Sequence, residues 1–158
     1  MSTSEDALSG LTEMAVGHIE HACARVYHRI AVAADAGFVG YEDCFTPDVV
    51  WIRPGMEMRG HGEMRAFLNT ELERMRLDNP PHGHLLRHMY TTILIDVTSA
   101  QTATGVAYAI NFRAERFNGI LPAPMNTPEL IAAYESEFRK TENGWLISRH
   151  SVKHIFRR

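Results

Sequence analysis

The sequence has no apolar run that approaches the ~20 residues of a membrane-spanning helix, and its polar, acidic start lacks the apolar core of a signal peptide. Two cysteines, Cys23 and Cys44, are too few for a disulfide framework, so we expect reduced thiols. Lysine and arginine total 16 against 19 acidic residues, for a net charge of −3. Without a basic field, the chain is expected to bind neither nucleic acid nor an anionic membrane. These absences together predict a cytoplasmic protein.

Motifs for common cofactors and nucleophiles are also lacking, since the chain has no GxSxG, Walker or dinucleotide-binding glycine motif. Nine histidines raise the alternative of a metal site, and two groups lie close in sequence: His82, His84 and His88, then His18, His21 and His28. A zinc site needs three or four ligands that converge on one ion, and neither group has the spacing of a known zinc motif. The sequence therefore predicts no metal and no cofactor.

The residues that are present, 45% apolar and 22% charged, are typical of one globular domain over residues 1–158. The first half has helical periodicity. Apolar residues at spacings of three and four predict a helix over residues 11–35, with one stripe formed by Leu11, Ala15, Ile19, Ala22, Val26 and Ile30. The segment Asp35-Ala36-Gly37 ends this helix, because glycine readily adopts the C-cap conformation.

The remaining elements alternate between short helices and strands, and then become strands only. The elements expected after the first helix are, in chain order, a helix over 38–45, a turn at Thr46-Pro47-Asp48, strands over 49–53 and 56–59, and a helix over 61–76. Four strands are then expected over 88–98, 104–117, 131–140 and 145–156. This order predicts an α+β fold: a strongly curved, mixed or antiparallel sheet that forms a cone, with the N-terminal helices packed across its mouth. The space between helices and sheet could hold a small molecule.

Side chains alternate between the two faces of a strand, so residues 104–117 present two different faces. One face carries small residues followed by polar ones: Gly105, Ala107, Ala109, Asn111 and Arg113. The other face carries Val106, Tyr108, Ile110 and Phe112. The small face either leaves room for a ligand that the polar residues bind, or it admits a close helix while the polar residues reach solvent.

The third strand opens with a histidine, and its alternation places His88, Tyr90, Thr92 and Leu94 on one face. Asp35 ends the first helix, where the helix dipole disfavours a negative charge unless a positive or hydrogen-bonding group lies near. A histidine would serve, and an Asp–His pair in a semi-apolar cavity would be a general acid–base. The alternatives are an exposed Asp35 that only helps to end the helix and a half-exposed His88 without a function.

Four segments carry a resemblance to a known family: AADAGFVGYEDCFTPDVVW, MRGHGEMRAFL, RHMYTTILIDVTSAQTATGVAYA and AAYESEFRKTENGWLISRH. In their order and spacing they resemble the SnoaL-like branch of the nuclear transport factor 2-like (cystatin-like cone) superfamily. That branch includes polyketide cyclases, scytalone dehydratase, bile-acid dehydratase and relatives of ketosteroid isomerase. The resemblance covers residues 11–156 and implies the cone fold described above.

The resemblance also implies positions for a catalytic site. Several dehydratases of the branch have an aspartate at the end of the first helix and a histidine that opens the third strand, and these match Asp35 and His88. A polar residue on the next strand matches Asn111 or Arg113. Asparagine cannot act as the carboxylate acid–base that some relatives have there.

At other positions the sequence matches the family pattern ambiguously or departs from it. A basic residue that relatives carry on the last strand matches either Arg149 or His150. Ile30 stands where some relatives have a tyrosine, and Tyr27 on a neighbouring helix face is a substitute. Ser136 stands where relatives often have an acid on the fifth strand. These departures favour either a different substrate or a pocket that only binds.

The function implied is that of a small cofactor-independent dehydratase, isomerase or cyclase that acts on an apolar, carbonyl-bearing ring compound resembling a steroid or polyketide. The residues expected to be catalytic are Asp35, His88, Asn111 and Arg149. Those expected to contact the substrate are Tyr27, Ile30, Tyr90, Ala107, Arg113 and His150. The alternative is a non-catalytic binding module or accessory subunit of the same fold. Family resemblance also implies a homo-oligomer, dimer or trimer, formed through the outer sheet face.

Overall fold

The computed structural model describes residues 10–114, 116–124 and 127–158, which form two helices and six strands. The elements in chain order are α1 (Glu13–Asp35), a 3-10 turn (Glu42–Cys44), β1 (Phe45–Arg53), β2 (Met56–Arg59), α2 (Gly60–Asp78), β3 (Leu85–Val97), β4 (Thr102–Ala114), β5 (Leu130–Thr141) and β6 (Gly144–Arg157). Within the described residues, neither helix has the length and apolar character needed to cross a membrane.

One sheet contains all six strands in the order β2-β1-β6-β5-β4-β3. The β1–β6 pair is parallel and the other neighbours are antiparallel, so the sheet is mixed. It stays open, with β2 and β3 at its edges. The α+β class predicted from the sequence is therefore confirmed, and the helices pack on the inward face of this sheet.

Helix α1 ends at Asp35, as its sequence predicts, and begins at Glu13 rather than at residue 11. The Thr12 hydroxyl caps its start by accepting a hydrogen bond from the backbone N–H of Ala15 at 3.2 Å. Its buried side contains apolar residues at helical spacing, among them Ile19, Val26 and Ile30. The helix ends at Asp35, and no basic residue lies in its last turn. Asp35 therefore needs partners from elsewhere in the fold.

The segment that follows α1 differs from the prediction. Residues 38–45 form turns and the 3-10 turn rather than a regular helix, and β1 begins at Phe45 and runs through the expected turn at Thr46-Pro47-Asp48. Left-handed backbone at Gly37, Phe38 and Gly40 is incompatible with a helix there, and the β1–β6 pairing has an irregularity between Phe45 and Val50. Pro47 lies within it, where a missing N–H costs no ladder hydrogen bond.

A bulge in β3 also overturns part of the predicted alternation. The β3–β4 pairing shifts between Thr91 and Leu94, and Thr92 has a left-handed φ of 51°. The extra residue reverses the faces beyond it, so Leu94 is 57% exposed whereas Ile95 is only 7% exposed. The inward face of β3 consequently runs through His88, Tyr90 and Ile95, and not through Leu94 as expected.

The inward face of β4 is the small one. Gly105, Ala107 and Ala109 lie under α1, and a Cβ atom at Gly105 would stand 2.7 Å from Ile95 Cδ1 and 2.9 Å from Phe138 Cε2. The opposite face of β4 carries Val106 and Tyr108, which are about half exposed. Side chains of β3 and β5, together with Tyr27 of α1, thus fill the small end of the face, and Asn111 lies further along it, beside the cavity.

Candidate functional site

A cavity of about 410 Å³ lies between the two helices and the inward face of the sheet. Its apolar and aromatic walls include Ile30, Phe38, Tyr41, Trp51, Phe67, Tyr90 and Tyr134. Its polar lining includes Arg53, Glu71, Arg74, His88, Asn111, Arg113, Glu129, His154 and Arg157. The cavity is therefore more polar, and richer in charged groups, than the semi-apolar cavity expected from the sequence.

Asp35 and His88 meet at this cavity. His88 Nδ1 lies 2.8 Å from Asp35 Oδ1, and the same oxygen accepts the backbone N–H of His88 at 3.0 Å. The two side chains are 19% and 18% exposed, respectively, so the pair is only partly screened by water. Two donors from one residue offset the unfavourable position of a carboxylate at the C-terminal end of α1.

The contact with Asp35 defines the chemistry that His88 can perform. An ionised carboxylate only accepts hydrogen bonds, so Nδ1 carries a proton and donates a hydrogen bond to Asp35. In the neutral imidazole the other nitrogen, Nε2, then has the free lone pair. Because His88 lines the cavity, this arrangement is that of an oriented general base.

Asn111 lies beside the pair, directly opposite His88 in the β3–β4 ladder. It lines the cavity, and its Oδ1 atom is buried without a hydrogen-bond partner among the described residues. A buried polar atom without a partner is unusual in a native protein. It can accept a hydrogen bond from a hydroxyl or amine of a ligand.

Two tyrosine hydroxyls stand next to Asn111. Tyr90 and Tyr134 both line the cavity, with ring centroids 5.1 Å apart. Burial raises the pKa of Tyr134, although hydrogen bonds from Tyr90 and Asn111 lower it in part. Burial likewise raises the pKa of Tyr90 well above 10. Both hydroxyls are protonated at neutral pH, so either can donate a hydrogen bond to a ligand.

Tyr134 was not among the residues predicted from sequence. Its signal was its position two residues before Ser136 on the same strand, which places both on the inward face. His154 was also missed. It lies four residues after His150 on β6, and strand alternation therefore places it on the same face. Arg53 was missed because it ends a strand that the sequence marks only as apolar.

Three residues predicted to contact substrate lie behind the cavity wall instead. Tyr27, Ala107 and His150 are buried, and none of them is part of the lining. The Tyr27 hydroxyl lies 2.8 Å from Ser136 Oγ, which in turn lies 2.8 Å from His150 Nδ1. The Tyr27 hydroxyl of α1 also donates a hydrogen bond to the backbone oxygen of Gly105 on β4 at 3.1 Å, so a helix side chain fills this end of the small face. Ile30 and Tyr90 do line the cavity, as predicted.

Arg149, predicted as catalytic, points away from the cavity. Its side chain is 46% exposed and lies 3.8 Å from Glu137 on the neighbouring strand. Alternation along β6 places His150, Val152 and His154 inward and Arg149 outward. The prediction for Arg149 is therefore wrong, and of the two alternatives on the last strand His150 is the inward one.

The charged lining is mostly paired. Arg113, expected to contact substrate, lines the cavity with its Nε atom 2.7 Å from a Glu129 carboxylate oxygen. Arg74 lies 2.9 Å from Glu71 and 3.1 Å from Asp78. Arg53 differs, because its guanidinium lies over the rings of Trp51 and Phe67.

A metal site would require several ligands to converge. In the part of the chain that the structure describes, no group of three or more His, Cys, Asp or Glu side chains is arranged to hold an ion. The two cysteines are buried, and burial raises the pKa of Cys44 to about 11 and that of Cys23 to about 12, as expected of unreactive thiols.

Comparison with known proteins places the chain in a family. Residues 18–151 match the family model described as a SnoaL-like domain. No curated protein sequence matches the chain significantly. A candidate scytalone dehydratase from Novosphingobium aromaticivorans is structurally similar, with a TM-score of 0.72 at 14% identity over 92% of this chain and 89% of that chain.

Two further solved structures show the same architecture. An NTF2-like protein with a cystatin-like fold, also from Novosphingobium aromaticivorans, has a TM-score of 0.72 at 16% identity, over 90% of this chain and 85% of that chain. A type 2 hexachlorocyclohexane dehydrochlorinase has a TM-score of 0.69 at 14% identity, over 92% and 90%. At such identities the likeness establishes the fold and leaves the activity to be argued from the site.

Proposed function

Because the chain belongs to the SnoaL-like domain family, we propose that it is a small dehydratase, isomerase or cyclase that acts by general acid–base catalysis on a carbonyl-bearing ring compound. The observation that supports this most directly is the hydrogen-bonded Asp35–His88 pair, whose imidazole lines the cavity. A volume of about 410 Å³ is in the range of small-molecule sites. The proposed chemistry uses no cofactor.

In the proposed reaction His88 Nε2 removes a proton from the carbon next to the carbonyl group. Asp35 holds the imidazole in the required tautomer and stabilises the imidazolium that forms. The Tyr134 hydroxyl donates a hydrogen bond to the carbonyl oxygen as it becomes an enolate. In an isomerase the proton then returns to another carbon of the substrate. In a dehydratase the enolate expels a β-hydroxyl group, which leaves as water with the proton from His88.

The test is deuterium exchange at the α-carbon of cyclic ketones, followed by NMR in D2O with purified protein. We expect His88→Ala to lower the exchange rate by about 10²- to 10⁴-fold, the usual contribution of a general base. Asp35→Asn is expected to lower it as well, because the amide neither stabilises an imidazolium nor enforces the tautomer. His18→Ala, a change at an exposed histidine of α1, is the matched control and should have no effect.

Two results would count against the proposal. Exchange that is unchanged by His88→Ala would show that another group is the base. Binding of the ketones by the wild-type protein without any exchange would favour the alternative, a non-catalytic binding module or accessory subunit.

A further inference from the structure

Three basic side chains of the cavity have no acidic partner among the described residues. Arg74 and Arg113 are ion-paired with carboxylates of the same wall. Arg53, His154 and Arg157 also line the cavity, but none of them has a described carboxylate oxygen within 4.0 Å. Since the lowered pKa of His154 keeps its ring neutral at neutral pH, the two arginines are the positive charges that no described carboxylate offsets within 4.0 Å.

Arg53 is the best placed of the three to meet a ligand. It ends β1, where it follows the buried residues Val49 and Trp51 on the inward face. Its guanidinium carbon lies 5.1 Å from the centroid of the Trp51 ring and 5.0 Å from that of Phe67. These cation–π contacts hold the guanidinium against the two rings and leave its N–H groups for an acceptor.

The charge of Arg53 reaches buried groups of the cavity wall. It lowers the pKa of Tyr41 and Tyr134 in part, although burial dominates and raises both. The pKa of His154 is lowered by burial first and then by Arg53 and Arg157. A cation that acts on buried neighbours without a counter-ion is costly, and an anion beside it would remove that cost.

His154 supplies a second group for the same anion. Strand β6 runs parallel beside β1, so His154 follows Val152 on the face that Arg53 shares. Its Nε2 atom is buried and has no hydrogen-bond partner among the described residues. A ring nitrogen in this position can donate a hydrogen bond to an oxygen that Arg53 also binds.

We propose that the substrate carries a carboxylate, which Arg53 binds as an ion pair with His154 Nε2 as a second donor. This inference deepens the proposed function, and it rests on that proposal only for the use of the cavity as the substrate site. The guanidinium fork matches the two oxygens of a carboxylate better than it matches any neutral group. The substrate would extend from its carboxylate at β1 and β6 to its reacting carbon at His88 on β3.

The test compares carboxylates with their neutral amides, using benzoate with benzamide and 1-naphthoate with 1-naphthamide. Dissociation constants are measured by titration calorimetry and ligand-detected NMR at neutral pH. For the wild-type protein we expect each carboxylate to bind about 10- to 100-fold more tightly than its amide, the usual effect of a charge-assisted hydrogen-bonded pair. In Arg53→Met, which keeps an apolar side chain of similar length, the two affinities should become equal.

Arg74→Met is the matched control, because it removes an arginine of the same cavity that already has carboxylate partners. It should leave the preference for carboxylates unchanged. Arg53→Lys keeps the charge and should keep part of the preference, which separates loss of charge from loss of fold. Circular dichroism and thermal unfolding check that each variant is folded.

Equal affinity of carboxylate and amide in the wild-type protein, or failure of both to bind, would overturn the inference. So would an Arg74→Met variant that loses the preference as fully as Arg53→Met. Repeating the titration in His88→Ala separates this inference from the proposed function, since that variant should lose exchange activity and keep the preference. A wild-type protein that prefers carboxylates but exchanges no α-proton would keep the anion site and refute the proposed chemistry.

Discussion

His150 is a histidine that the fold holds in its neutral form. It is fully buried, with ring centroids 5.0 Å from Tyr134 and 5.6 Å from Phe45. Its one described hydrogen bond joins Nδ1 to Ser136 Oγ at 2.8 Å. Burial, and to a smaller extent the charge of Arg53, lowers its pKa from 6.5 to about 3. The cavity wall beneath Tyr134 thus depends on a neutral imidazole.

This pKa predicts a loss of stability in acid. Below pH 6.5 the unfolded chain binds a proton at His150 that the folded protein does not bind until about pH 3. The contribution is therefore fully present above pH 6.5 and falls as the pH decreases, by up to about 1.4 kcal/mol per pH unit. Urea unfolding of the wild-type protein between about pH 7.5 and about pH 4.5 would measure this loss, because the acidic end of that interval lies about two pH units below the pKa of 6.5.

The variant His150→Phe removes the titrating group and keeps a ring of similar size between its aromatic neighbours. We expect its unfolding free energy to be lower at neutral pH, because the hydrogen bond to Ser136 is lost, but to fall less steeply with acid. His21→Ala, at an exposed position of α1, should keep the wild-type slope. A His150→Phe protein with the wild-type slope would show that other groups cause the acid sensitivity.

At the scale of residues, the sequence could identify those site positions that have a local reason to be unusual. Asp35 is conspicuous as an acid at a helix C-terminus, and His88 as a base that opens an apolar strand. Arg53 and Tyr134 have no such local mark, because an arginine at a strand end and a tyrosine within a strand are both common. Their inward direction follows from the pairing of β1 and β5 with β6, which depends on contacts distant in sequence.

Strand β3 contains the element that local sequence could not predict. The alternation of LLRHMYTTILIDV is regular enough to predict one uninterrupted strand, and only the bulge places both His88 and Ile95 on the inward face. Three turns between strands were predictable, since Pro54-Gly55, Ser99-Ala100-Gln101 and Glu142-Asn143-Gly144 contain residues that favour them, whereas the turn expected at Thr46-Pro47-Asp48 lies within β1. A bulge adds one residue to one strand, and its position is fixed by the partner strand and the core.

The bulge residue gives a prediction for this element. Thr92 has a φ of 51°, a conformation that costs a β-branched residue about 1–2 kcal/mol. Thr92→Gly should therefore leave the unfolding free energy unchanged or raise it by up to about 1 kcal/mol, even though glycine gives the unfolded chain more freedom. Thr91→Gly, at the exposed extended residue before it, should lower the same quantity by about 0.5–1 kcal/mol.

Chemical denaturation of both variants provides the measurement, with the slope against denaturant checked for two-state unfolding. Equal destabilisation by the two changes would mean that Thr92 is not strained. A shift in the register of β3 would then explain the equal destabilisation better. Such a shift would also move His88 away from Asp35.

At the scale of the whole molecule, one face of the sheet is not covered by either helix of the described chain. This outer sheet face is defined by the exposed side chains Met89, Leu94, Val106, Tyr108 and Phe156. The register places Leu94 beside Val106, and Tyr108 beside Ala133 on β5, so apolar groups are continuous across neighbouring strands. Contiguous exposed apolar surface of this kind usually marks an interaction site.

We propose that a second copy of the chain covers the outer sheet face. Lys153 and Glu135 form an exposed ion pair on the same face. In a symmetric dimer, Lys153 of one copy could pair with Glu135 of the other. Sedimentation velocity over a range of concentrations should give a dimer or a trimer of the 17.9 kDa chain. Tyr108→Glu places a charge at the centre of the face and should shift the mass toward the monomer.

Val32→Glu is the matched control. It also replaces an exposed apolar residue by glutamate, but Val32 lies on α1 and not on the sheet. It should leave the oligomer intact. The two sides of the sheet then have separable roles, since the proposed site on the inward face uses residues of one chain only. Tyr108→Glu should accordingly keep the carboxylate preference that Arg53 confers, provided the monomer stays folded. A monomeric wild-type protein, or equal dissociation by both variants, would show that the outer sheet face is not the interface.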